Sequence, residues 1–247
     1  MTVLTDKADI KKIRQAGKII REIFEKIETS AKEGASTLCL DKIAEEVIRK
    51  RGALAAFKGY KGYPATICAS LNSVVVHGIP SDRVILKAGD IISVDLGLKK
   101  DGFFVDAAKT YAVGRIDPKT GKLIEAAEEA LAAGIKEAVA GNRVSDISHA
   151  IFKTVEKFGF YEVRSFVGHG IGRQLHEEPE VPNWGEPGRG RELKTGLLLA
   201  IEPMVNAGTR EVKVLGDGWT AVTADGSLSS HFEHTIMVGD NRAEILT

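Results

Sequence analysis

Between Lys7 and Thr29, the residues Ile10, Ile13, Ala16, Ile20, Phe24 and Ile27 return every three or four positions, with lysine, arginine and glutamate between them. That period predicts an amphipathic helix. After Gly34, Ser36 and Thr37 stand where helix caps stand. Leu40, Ala44, Val47 and Ile48 then form the apolar stripe of a second helix that stops before Gly52. The helical period disappears between Tyr60 and Pro80. There SLNSVVVHG reads as a β-branched strand, and IISVDLGL followed by GFFVDAAKTYAV reads as a hairpin turning around residues 99–102.

The second half repeats this plan. A helix over about Lys122–Ala140 precedes Gly141, a capping Ser145, and a helix with Ile147, Ile151 and Val155 that ends at Gly159. At an offset of 107 residues, Gly34 falls on Gly141, Leu40 on Ile147, Ala44 on Ile151, Ile48 on Val155, Gly52 on Gly159 and Asp95 on Glu202. Such spacing predicts an internal duplication. The joint GRIDPKTGK is turn-rich rather than a flexible tether, so residues 1–247 are expected to form one domain with halves of roughly 1–115 and 116–247.

Composition narrows the partners. With 247 residues, 43% of them hydrophobic, the chain can bury a full core. Its 34 lysines and arginines balance 34 aspartates and glutamates, which argues against a dedicated nucleic-acid or anionic-membrane binder. The two cysteines, Cys39 and Cys68, form neither a zinc knuckle nor a disulfide framework and suit a reducing compartment. Residues 1–30 are too charged for a signal peptide, and no run reaches the roughly 18 apolar residues of a membrane helix. A cytoplasmic setting is expected.

Two carboxylates interrupt strands that should be apolar: Asp95 in IISVDLGL and Asp106 in FFVDAA. If the hairpin turns between Lys100 and Asp101, the two aspartates face each other directly. Like charges so placed are destabilising, and burying them costs several kcal/mol per ion unless something compensates. A divalent cation would. Glu202, closing LLLAIEP, and Glu233, in SHFEHTIMV, repeat the pattern, and His169 in RSFVGHGIG supplies an imidazole. Four carboxylates carry the charge that two divalent cations neutralise, so Asp95, Asp106, His169, Glu202 and Glu233 suggest a dinuclear centre able to acidify a water. Oxygen-rich donors with one imidazole suit Mn(II), Fe(II), Co(II) or Zn(II). His77 and His176 precede turn signals and are candidates to line the cavity, while His149, His231 and His234 receive no role. Competing motifs fail: there is no HExxH, no GxGxxG or GK[ST] phosphate loop, and no HxE with PCxxC for a deaminase. Opposed hairpin aspartates also fit metal bridging better than the wider carboxylate spacing of glycoside hydrolases.

The strings GYKGYPATICASLNSVVVHGIP, ISVDLGLKKDGFFVDAAKTY, FVGHGIGRQLHEEP, AIEPMV and DGWTAVTADGSLSSHFEHTI resemble the type I methionine aminopeptidases, and they span most of the chain. That resemblance implies an α/β (α+β) pita-bread fold, internally duplicated, with a curved antiparallel sheet backed by helices. It implies metal ligands at Asp95, Asp106, His169, Glu202 and Glu233, and substrate-contacting histidines at His77 and His176. It also implies a methionine pocket drawing on Tyr60, Tyr63, Cys68 and Trp219, with Leu175 where phenylalanine is expected. The implied reaction removes the initiator methionine from peptides and nascent chains whose second residue is small, through a hydroxide bridging two divalent metals. Glu202 would shuttle the proton, His176 would bond the carbonyl oxygen, and His77 would contact the scissile amide.

Only 25 residues separate His176 from Glu202, leaving no room for the helical insertion of the type II enzymes. The chain starts near its first predicted helix, like the short bacterial form. The alternatives are an X-Pro aminopeptidase or prolidase of the same fold, or an inactive pita-bread binding module. Proline-specific relatives carry an extra N-terminal domain, and inactive ones typically lose metal ligands. A monomer with transient ribosome contact is the expected state.

Overall fold

The computed structural model describes residues 1–247. Helices α1 (Lys7–Ser30) and α2 (Thr37–Lys50) lead into β1 (Leu54–Ala55), a 3₁₀ turn at Tyr60–Gly62, and strands β2 (Ile67–Leu71), β3 (Val74–Val76), β4 (Ile91–Lys100) and β5 (Phe103–Ala112). Helices α3 (Pro118–Glu137) and α4 (Val144–Phe158) lead into β6 (Tyr161–Glu162), β7 (Gly168–Gly170), β8 (Glu177–Val181), β9 (Leu198–Ile201) and β10 (Met204–Asn206). The chain finishes with β11 (Val212–Val214), β12 (Ala221–Thr223), β13 (Ser229–His231), β14 (Glu233–Met237) and β15 (Glu244–Ile245). Every pairing between these strands is antiparallel. The main sheet runs β1–β4–β5–β14–β9–β7–β8, with β2 beside β4 and β15 beside β14. Two three-stranded sheets, β13–β10–β6 and β11–β12–β3, complete the architecture.

The helices begin where side chains satisfy their free N–H groups. Asp6 accepts from Ala8 N at 2.9 Å, and Ser36 accepts from Cys39 N at 3.2 Å. Asp117 takes the N–H groups of Lys119 and Thr120 ahead of Pro118, so α3 starts four residues before its apolar period predicts. The expected Ser145 cap is not one. Residue 143 holds the cap position, its N–H bonded to Asp146 Oδ2 at 2.7 Å, while Ser145 Oγ exchanges hydrogen bonds with the Arg189 backbone. Gly159, with φ 76°, ends α4 in the left-handed conformation that favours glycine.

Alternation along β4 and β5 places the site. Ile92, Val94, Leu96 and Leu98 pack with Val105 and Ala107 in a core shared with α1 and α2, whereas Ser93, Asp95, Asp106 and Thr110 share the opposite face. A second core, built on α3 and α4, includes Leu123, Ile147, Ile151, Leu199, Ile201 and Ile236. No helix is long and apolar enough to cross a membrane.

Two strand expectations change. SLNSVVVHG is split into β2 and β3 at Asn72, which has φ 53° and whose side chain bonds Asp90 Oδ1 at 2.9 Å and Ile91 N at 3.0 Å. The hairpin turns one residue later than expected, at Asp101–Gly102, with φ values of 49° and 85°. Two left-handed residues in sequence form the tight turn that matches strand twist, and Asp-Gly is a preferred pair for it. Asp106 therefore faces Gly97 and Asp95 faces Ala108, so the aspartates are diagonal neighbours on one face rather than direct partners.

Candidate metal centre and substrate pocket

Cys68, Asp95, Ala108 and Glu233 form one row across β2, β4, β5 and β14. Ala108 carries only a methyl group, which leaves room for the carboxylates on either side of it. A second row brings His169 on β7 beside Ala200 on β9 and Thr235 on β14, and Thr235 Oγ1 lies 3.0 Å from Asp106 Oδ1. Glu202 follows β9 directly. His169 Nε2 stands 3.6 Å from Asp106 Oδ2 and 3.5 Å from Glu202 Oε1. One donor atom each from Asp106, His169 and Glu233 fall within 4.8 Å of one another.

Such a cluster is costly without a counter-charge. Burial raises the carboxyl pKa of Asp106 to about 6. Burial first, then the neighbouring carboxylates, hold those of Asp95, Glu202 and Glu233 well above the usual range. Burial also lowers the pKa of His169, which favours its neutral form. Its Nδ1–H donates to Gly170 O at 2.9 Å, so the Nε2 lone pair faces the carboxylates. Asp95 Oδ1 is buried without any hydrogen-bond partner. An orphaned carboxylate oxygen, a lone pair aimed among acids and an oxygen-rich donor set fit divalent cations.

Strand β7 has no space to give. A Cβ on Gly170 would lie 2.2 Å from the Glu178 carbonyl oxygen and one on Gly168 would lie 2.4 Å from that of Ala200. Gly170→Ala is expected to cost about 1–3 kcal/mol through overpacking and to weaken Mn(II) binding by shifting His169. Urea unfolding and titration calorimetry would check both effects, and unchanged Mn(II) affinity in a folded variant would contradict the second.

A cavity of about 220 Å³ opens over this face, and all twelve residues singled out from the sequence line it. Tyr63 stands edge-on to Trp219 with ring centroids 5.1 Å apart, and its hydroxyl is 3.0 Å from both Ile67 O and Gly78 O. Cys68 packs with Tyr63 and Trp219, and Leu175 is buried in the core shared with α1 and α2 where that core reaches the cavity. Burial lowers the His77 pKa, and its ring meets Phe166 and Trp219 edge-on at 5.4 and 6.1 Å. Its backbone has φ 60°, a strained setting for a non-glycine residue that often accompanies function. His176 Nδ1 lies 2.9 Å from Tyr60 Oη, and its ring centroid is 4.4 Å from that of His169.

Two lining residues escaped the sequence reading, Phe57 and Lys61. Lys61 sits at φ 47° between Gly59 and Gly62, and those flanking glycines were the available signal for a tight turn there. Phe57 covers Gly97, where a Cβ would come within 2.7 Å of its ring, a tertiary contact with no local signature. The run SHFEHTIMV, which reads as one apolar strand around Glu233, is divided: His231 ends β13 and Glu233 opens β14, with Phe232 at the step between two sheets.

The chain matches metallopeptidase family M24 over residues 11–240. It is 50% identical to the methionine aminopeptidase of Clostridium acetobutylicum over 247 residues, covering 100% of this chain and 99% of that one. It is 51% identical to methionine aminopeptidase 1 of Bacillus subtilis, over 95% and 94% of the two chains. The crystal structure of Thermotoga maritima methionine aminopeptidase superposes with a TM-score of 0.97 at 44% identity, covering 100% of this chain and 99% of that one. An X-Pro aminopeptidase from Thermotoga maritima shares the fold alone, at 21% identity and a TM-score of 0.78, with 99% of this chain matched to 62% of that one. With its acid and imidazole cluster set in this fold, the chain belongs to metallopeptidase family M24, among the methionine aminopeptidases.

Proposed function

We propose that the protein removes the N-terminal methionine from peptides and nascent chains whose second residue is small. Asp95, Asp106, His169, Glu202 and Glu233 would hold two divalent cations, drawn from Mn(II), Fe(II), Co(II) or Zn(II). The observation that carries this reading is the convergence of those five side chains, with both candidate histidines and the aromatic wall, on one cavity. Cations bound there would offset the buried carboxylates, anchor the substrate amine, polarise the scissile carbonyl and acidify a water.

The chain's own residues do the rest. Glu202 takes the proton from the attacking water and passes it to the departing amine. A Tyr60 O–H donating to His176 Nδ1 leaves the proton of His176 on Nε2, ready to donate to the carbonyl oxygen as charge develops there. His77 contacts the scissile amide and assists departure of the amine. Tyr60, Tyr63, Cys68, Leu175 and Trp219 enclose the methionine side chain, where aromatic faces suit a thioether. Residues 1–115 and 116–247 are read as the halves of one duplicated catalytic domain. A cytoplasmic monomer with transient ribosome contact fits action on emerging chains.

The test is free methionine released from Met-Ala-Ser by metal-stripped protein after anaerobic addition of each cation. Met-Lys-Ser and Ala-Pro-Ser serve as comparisons. Metal-dependent cleavage of Met-Ala-Ser alone is expected. Preference for Ala-Pro-Ser would move the activity to the proline-specific branch, and no cleavage with any cation would leave a binding module.

A further inference from the structure

His231 has no part in the proposed reaction, yet it is 1% exposed and lies against the metal centre. Its Nε2 is buried without a hydrogen-bond partner and stands 3.8 Å from Glu202 Oε2. The backbone is pinned on both sides: His231 N–H donates to Thr110 Oγ1 at 3.0 Å, and the Thr110 hydroxyl lies 2.9 Å from His231 O. On β13 it pairs with Met204, two residues beyond Glu202.

The Glu202 carboxylate thus lies between two imidazoles of opposite character. Its Oε1 is 3.5 Å from His169 Nε2, whose ring has spent its proton on Gly170 O and offers a lone pair. Its Oε2 faces His231 Nε2, which is free to carry a proton. We propose that His231 is a positioning residue for Glu202. Its Nε2–H donates to Oε2 and holds the carboxylate with Oε1 turned toward His169 and the cavity. The present separation is about half an ångström beyond a good hydrogen bond, a gap that a small rotation of either side chain closes. A buried donor left unpaired is expensive, which favours closure. The inference rests on Glu202 as the proton carrier proposed above.

The experiment compares the Mn(II)-loaded wild type with H231L, which keeps bulk but loses the donor, and H231Q, whose amide N–H reaches the same oxygen. H231L is expected to lose kcat for methionine release from Met-Ala-Ser by about 10- to 100-fold with KM nearly unchanged. Its Mn(II) Kd, measured by calorimetry, is expected to rise, and H231Q should recover most of both losses. Wild-type kcat in H231L overturns the proposal, as does a folded H231Q that is as slow as H231L. Should H231L fail to fold, ¹⁵N-histidine spectra of the Zn(II)-loaded wild type decide the contact: a protonated Nε2 on His231 is expected, and a bare one overturns it. Wild-type protein that releases no methionine counts against the function itself, and the same spectra then still decide the contact.

Discussion

Glu202→Gln is expected to lower kcat for methionine release by about 10²- to 10⁴-fold, the usual worth of a positioned general acid and base. The amide keeps the shape of the carboxylate but cannot accept a proton from water and return it to the leaving amine. The fold should survive the change. The Glu202 carbonyl, which accepts from Asn183 Nδ2 at 3.1 Å, is untouched, and one of four crowded carboxyls loses its tendency to ionise. Steady-state kinetics beside a thermal melt separate these effects. A folded Glu202→Gln protein with near-normal turnover would reject the assigned role.

The second large effect is on the metal-stripped protein, whose stability should fall as the pH rises above ~7, where the histidines are neutral in the folded and unfolded chain alike. Unfolded aspartate and glutamate titrate near ~4. In the metal-free fold, Asp106 titrates at about 6, and Asp95, Glu202 and Glu233 are held well above the usual range. At these four carboxyls the folded chain therefore binds more protons than the unfolded chain, whereas His77, His169, His176, His231 and His234, whose pKa values burial lowers, oppose them below pH ~6.5. The stability that the carboxyl protons contribute is complete below pH ~4 and is lost as the pH climbs through 6 and beyond. A cation takes the place of the protons. At cation concentrations of 100 to 1,000 times Kd, the loaded form should gain about 3–4 kcal/mol. The difference in melting temperature between loaded and chelated protein should accordingly widen from pH 5 to pH 8. A difference that narrows over that range would show that the carboxylates do not pay the predicted cost of sharing one site. Chelation should also abolish methionine release.

What the sequence made legible follows from how local each signal is. The period of Ile13, Ala16, Ile20, Phe24 and Ile27 placed α1 to within a residue or two, because an amphipathic stripe is encoded by its own spacing. Asp95 and Asp106 stood out because an acid in an otherwise apolar strand needs a reason. Their register did not, since it hangs on whether the turn is centred before or after Asp101. A one-residue shift of the turn changes every opposite pair. Ser145 carried a cap residue's chemistry, but the segment around Arg189 claimed its hydroxyl from 44 positions away. His231 offered no pattern at all. Its proximity to Glu202 arises from strand β13 pairing with β10, a contact that no local window contains.

Strand β14 stands between β5 and β9 in the main sheet, joined to Ala107 and Ala108 on one side and to residues 198–201 on the other. It works as a keystone. Until residues 233–237 are made and inserted, the two flanking strands each present an unpaired edge toward a gap. Synthesis runs from the N-terminus, so a ribosome-bound copy carries both open edges until residues 233–237 have emerged. Those edges are templates for wrong pairing and aggregation. The same insertion delivers Glu233 to Asp106 and His169. Completion of the acid and imidazole cluster and closure of the sheet are thus a single event, and a copy truncated before residue 233 lacks both at once.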